Sequence, residues 1–131
     1  TKPLDDIASA QNVIVDTNAV YNRSGINALL KSGETPVVTP TVRAEVLNNA
    51  ARGNPKVPGY FGEFDEIEDA MDVNTRINIR GQLEALKKGQ RGLFGDGAIG
   101  ATAIRTRLPI ITADKRFGDV LEAMGAEVRR L

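Results

Sequence analysis

With 131 residues, 41% of them hydrophobic, the chain has enough apolar material for one compact core, and residues 1–131 are expected to form a single domain. Its 17 Lys and Arg balance 17 Asp and Glu, so no net field draws it to a polyanion and any nucleic-acid binding must rest on a local basic surface. Cysteine and histidine are both absent, which excludes disulfides, cysteine-ligated zinc, thiol nucleophiles and every His-dependent triad, and leaves catalysis to carboxylates, hydroxyls, amides, lysine or a bound metal.

Residues 12–15 are a short, mostly β-branched run that stops at Asp16-Thr17-Asn18, which predicts a buried strand with Asp16 at its carboxyl end. Residues 19–31 carry Val20, Leu29 and Leu30 in a helical pattern weakened by Ser24-Gly25, and Gly33 reads as the residue that closes this helix. A second strand follows over 36–39. Thr39-Pro40 then supplies a cap and a first-turn proline for a helix over 41–51, with Glu45 in its second turn. Residues 52–60, rich in Gly, Pro and Lys, read as a loop, and the acidic stretch 61–73 shows no clear period. Ile79, Leu83 and Leu86 recur at helical spacing over 74–88, and residues 89–95 break the pattern. Asp96-Gly97 opens a further helix over 98–107, and residues 109–112 form a strand followed by Asp114. Phe117, Val120, Leu121 and Met124 mark a short helix, Gly125 stops it, and 127–131 is a final strand.

Strands alternating with helices predict a three-layer α/β/α sandwich around a central, mainly parallel sheet with right-handed crossovers. In such sheets the functional crevice lies outside the carboxyl ends of the strands, where Asp16 and Asp114 fall. No apolar run approaches the roughly 18 residues of a membrane span, so no membrane partner is expected, and residues 1–11 lack the shape of a secretory signal.

Taken singly, Asp16 and Asp114 are ordinary helix caps, Glu45 an ordinary surface residue and Asp96 an ordinary turn residue. Taken together, they bring carboxylates from four separated segments toward one sheet edge. Such a cluster raises its members' pKa values unless a cation neutralises it. An all-oxygen donor set suits Mg²⁺ or Mn²⁺ rather than zinc.

Val13-Ile14-Val15-Asp16-Thr17-Asn18, the Thr39-Pro40…Ala44-Glu45-Val46 segment, Gly95-Asp96-Gly97-Ala98-Ile99 and Ile110-Ile111-Thr112-Ala113-Asp114-Lys115-Arg116-Phe117 resemble, in order, the successive motifs of PIN-domain nucleases. The first and last are fairly specific; the middle two gain their weight from order and spacing. The resemblance implies a metal-dependent endoribonuclease with Asp16, Glu45, Asp96 and Asp114 as its catalytic and metal-binding acids. Asp16 would be the central ligand, Asp96 and Asp114 direct or water-mediated ligands, and Glu45 a ligand or the group orienting the attacking water. Asn18 and Thr112 would be supporting polar neighbours. Because such nucleases are often toxins, the resemblance also implies RNA as substrate, an inhibitory antitoxin or immunity protein as partner, and homodimerisation. It implies a cytoplasmic site of action. A start at Thr1 rather than Met suits delivery as the C-terminal domain of a larger secreted effector. Residues 52–60 depart from the pattern as an insertion-like stretch, which leaves the subfamily open.

RNA affinity needs cations within reach of phosphates. Arg76 and Arg80 at i, i+4, then Lys87, Lys88 and Arg91, and finally Lys115 and Arg116 beside the last acid, supply a basic rim, although the same residues suit a solvated helix face. With aromatics at 5%, base stacking is not expected to dominate, and Phe117 reads as core. Two other functions fit parts of the sequence. Asp16-Thr17-Asn18-Ala19-Val20 resembles the signature of haloacid-dehalogenase-like phosphatases, but the general acid that chemistry needs two residues after the nucleophile is here Asn18. A non-catalytic partner-binding module would retain an unused cluster of like charges at a cost in stability.

Overall fold

A computed structural model of the chain describes residues 11–86 and 93–131. The β-branched runs become strands because both their faces are covered: Val13, Ile14, Val15, Val38, Ile110 and Ile111 are completely buried. Strands β1 (Asn12–Val15), β2 (Thr35–Val38), β3 (Asp65–Glu66), β4 (Ile110–Thr112) and β5 (Val128–Arg130) form one sheet in the order β3-β2-β1-β4-β5, every neighbouring pair parallel. Parallel neighbours need crossover connections, and these are helical: α1 (Arg23–Leu29), α2 (Pro40–Ala51), α3 (Val73–Ala85), α4 (Leu93–Thr106) and α5 (Lys115–Ala123). Right-handed crossovers in this strand order put helices on both faces, giving the expected sandwich. The order reverses between β1 and β4, which are joined through Ile14↔Ile110 and Val15↔Ile111.

Local chemistry fixes the helix starts. Thr39 accepts a hydrogen bond from the Val42 amide, and Asp69 accepts from both the amide and hydroxyl of Thr41, so the amino end of α2 is satisfied twice. Asp114 caps α5 by accepting from the Phe117 amide at 3.1 Å. Arg129 ties β5 to the far side of the molecule. Its guanidinium meets the Glu34 carboxylate through two bonds of 2.6 and 2.9 Å and donates to the Leu29 carbonyl, with both side chains nearly covered.

Several boundaries differ from the sequence expectation. Residues Thr17–Ala19 form a 3-10 turn capped by Asp16, and α1 starts only at Arg23 behind an Asn22 cap. Gly33, at φ 84°, turns the chain into β2 instead of closing α1, which already ends at Leu29. The unassigned stretch 61–73 contains a 3-10 turn and the edge strand β3, anchored by buried Phe61, Phe64 and Ile67. Helix α4 begins at Leu93, ahead of the expected 98, which moves Asp96 from a turn into a first helical turn. Glycines in α4 mark close approach: a β-carbon at Gly100 would lie 2.8 Å from Ile79 Cδ1 and 3.0 Å from Leu121 Cδ2. Among the described residues, no helix is long and apolar enough to cross a membrane.

Candidate active site

β1 delivers Asp16 to the carboxyl edge of the sheet, beside β4, with its amide bonded to the Ile111 carbonyl at 2.9 Å. Its side chain is 3% exposed. The Thr112 hydroxyl donates to Oδ2 at 2.8 Å and the Thr17 amide to Oδ1 at 2.8 Å. Burial pushes the Asp16 carboxyl up to about 7, and the neighbouring Asp96 and Glu45 carboxylates push the same way, against the two hydrogen bonds that favour its charge.

Glu45 arrives from α2. The Thr17 hydroxyl donates to its Oε1 at 2.5 Å, which couples the turn after β1 to α2. The other flank of this carboxylate lies against the first turn of α4, so closely that a β-carbon at Gly95 would come within 2.6 Å of Glu45 Cδ. Any side chain there would displace the Glu45 carboxylate. Asp96, the next residue, faces the same cleft as Asp16 and Glu45, a concavity of about 790 Å³. Thr17 and Gly95 were not singled out in the sequence; Gly95 read as a helix break, when its role is to admit a side chain from another helix.

Asp114 is placed differently. Its carboxyl caps α5 and lines an adjacent concavity of about 460 Å³ with Lys115, Asp119 and Arg130. Thr112 lines this second hollow and links it to the first site, its hydroxyl donating to Asp16 and accepting from the Asp114 amide at 3.0 Å. Asn18 Oδ1 accepts from the Ala113 amide at 3.1 Å, bracing the loops that follow β1 and β4. A carboxamide in that bracing position also leaves a phosphoaspartate mechanism without its acid.

The donor set is consistent with a hard divalent cation: a buried carboxyl at a strand end, two further carboxylates raising its pKa, and open solvent beside them. Among the described residues, no three acidic side chains converge as a ready-made cage.

Four residues of the expected basic rim are described. Arg76 donates to the Ala70 carbonyl, Arg80 runs its stem past Gly97 beside Asp96, and Lys115 pairs with Asp119 on an exposed surface next to Arg116. Lys87, Lys88 and Arg91 lie outside the described residues. The cleft itself has a second wall, formed by Asn48, Asn49, Arg52 and Asn54, which sequence reasoning passed over. Its signal was helical phase: Asn48, Asn49 and Arg52 stand three, four and seven residues after Glu45.

A model of the PIN domain matches residues 13–122. No curated protein matches the chain in sequence. Among solved structures, the chain is similar to one in the crystal structure of VapBC2 from Rickettsia felis bound to a DNA fragment from their promoter, at 17% identity and TM-score 0.66, covering 92% of this chain and 98% of that one. A structure of VapBC-5 from Mycobacterium tuberculosis, a member of the VapBC family of toxin-antitoxin systems, is similar at 19% identity and TM-score 0.60, again covering 92% and 98%. A domain of a functionally unknown protein from Methanocaldococcus jannaschii is similar at 17% identity and TM-score 0.56, covering 93% and 91%. At such identities the likeness is one of fold.

Proposed function

From the chain's membership of the PIN-domain family, we propose that it is a divalent-metal-dependent endoribonuclease whose site is centred on Asp16, and that residues 1–131 act as one nuclease domain. The observation that carries this reading is the Asp16 carboxyl, buried at the carboxyl end of a central strand and flanked by Asp96 and Glu45 at an open cleft. Asp16 and Asp96 would hold the cation, with Glu45 as a further ligand or as the group orienting the attacking water. When bound, a divalent ion supplies activation of the nucleophile and neutralisation of charge at the phosphate. The Thr112 hydroxyl fixes the rotamer of Asp16, and Thr17 fixes that of Glu45. Asp114 is linked to the same site through Thr112, so its contribution would be to hold that hydroxyl and the start of α5 in place, or to bind through water.

Two of the similar structures carry the name of a toxin-antitoxin family, and on that basis we read this chain as a toxin restrained by a cognate antitoxin and able to pair with a second copy. RNA as substrate sets its action in the cytoplasm. Neither the fold nor the comparisons lend support to delivery by a larger secreted effector.

The test is incubation with total cellular RNA and Mg²⁺ or Mn²⁺, comparing wild type with Asp16→Asn. Discrete fragments that appear with metal and fall by at least about a hundredfold in the variant are expected. RNA left intact, or fragments that persist at equal rate in Asp16→Asn, would refute the assignment.

A further inference from the structure

The far wall of the cleft differs from the acidic end in chemistry. Along α2, Glu45, Asn48, Asn49 and Arg52 share a face, and Arg52 stands two turns, roughly 10 Å, beyond Glu45. The chain then folds back on the helix end, with the Asn54 amide donating to the Asn49 carbonyl at 3.0 Å, and this brings Asn54 into the same wall. Asn49 Nδ2 donates to the Tyr21 hydroxyl at 3.1 Å and fixes the phenol at the cleft's edge. Three carboxamides, a phenol and a guanidinium therefore continue from the acids without another carboxylate among them.

Arg52 is set apart by its place: of the arginines without an ion pair among the described residues, which include Arg107 and Arg116, it is the one that lines this cleft. The guanidinium groups of Arg23, Arg43, Arg105, Arg129 and Arg130 are each taken up by a carboxylate. Among the described residues, no ion pair takes up that of Arg52, which is exposed at the cleft. A guanidinium on a helix end next to a cleft is suited to a phosphate, and carboxamides, with a donor and an acceptor on one planar group, are suited to base edges.

We propose that this wall seats the nucleotide adjoining the cleaved phosphodiester of a single-stranded RNA, with Arg52 holding the neighbouring phosphate and Asn48 and Asn54 contacting the base. The identification of the cleaved bond rests on the nuclease reading above; the binding does not. Asn49, through its bond to Tyr21, is a positioning residue.

Binding can be separated from cleavage by working in EDTA. The affinity of a fluorescein-labelled single-stranded RNA of about ten nucleotides, a length within the usual site size, is measured by anisotropy at several salt concentrations. Wild type, Arg52→Ala, Arg52→Lys and Asn48→Ala are compared after melting curves show each to be folded. Arg52→Ala is expected to weaken binding about tenfold and to reduce the slope of log affinity against log salt by about 0.7, one phosphate contact, with lysine restoring the slope. Asn48→Ala is expected to keep the slope and to narrow the difference in affinity between oligo-A and oligo-U. Unchanged affinity and slope in Arg52→Ala overturn the proposal, as does a wild type that binds none of the oligonucleotides. Binding that follows the expected pattern while total RNA survives with Mn²⁺ supports this wall and refutes only the nuclease reading.

Discussion

Asp16 is a carboxyl placed where solvent cannot stabilise its charge and where two like charges oppose it. Its pKa in the fold, about 7, stands above the ordinary 3.8, so the folded chain holds the proton more tightly than the unfolded chain does. The fold therefore loses stability as pH rises through that interval, and the loss is complete above pH 7. Asp16→Asn keeps an acceptor for Thr112 and removes the charge. In chelator the variant should melt higher than wild type, by on the order of 5 °C at pH 8 and by much less at pH 5, as followed by calorimetry. A gain equal at both pH values would show that burial of the charge is not its origin. Gly95 permits the approach of Glu45. Gly95→Ala should leave the melting temperature within a few degrees and lower kcat for RNA cleavage by about tenfold or more, because the displaced Glu45 no longer sits where Thr17 aims it. Cleavage at the wild-type rate would deny Glu45 its place in the chemistry.

At the scale of elements, four of the five strands were legible because their apolar runs are short and bounded by turn residues, and α2 was legible from Thr39-Pro40 alone. Helix α4 starts earlier than its sequence suggests because Gly95 and Gly97 lower helix propensity, while in the fold Gly95 lies against Glu45 and Gly97 against Arg76 and Arg80. Strand β3 was missed since Asp65-Glu66 carries no apolar signal and is a strand only by pairing with β2. The pairing of β5 with the α1–β2 turn could not be foreseen, as Glu34 and Arg129 are far apart in the chain. The Arg129 guanidinium lowers the Glu34 carboxyl to about 2 from the ordinary 4.5. The bridge thus contributes stability above pH 4.5 and loses that contribution as pH falls toward 2. Glu34→Gln should therefore unfold at lower denaturant than wild type at pH 6, and the two curves should converge as the pH approaches 2 in urea titrations. A constant offset across that range would mean that Glu34 acts by packing alone.

Across the whole molecule, the parallel sheet and its reversal between β1 and β4 explain why strand ends were informative: a carboxyl edge gathers whatever follows each strand, so Asp16 and Asp114 could be placed near one another from sequence. What lay beyond reach was orientation. The cap that Asp114 gives α5 was legible, whereas Glu45 and the Asn48–Arg52 wall depend on how α2 is rotated about its own axis. That rotation makes α2 a ruler. One rod carries both the carboxylate beside Asp16 and the guanidinium two turns on, so their separation is set by residue count and their alignment by helical phase. Adding a single residue between them would swing the recognition groups about 100° out of the cleft, whereas adding four would nearly restore the phase and lengthen the span by about 6 Å. The distance from cut to contact is thus written in the length of one helix, and a relative with a longer or shorter one would measure its substrate differently.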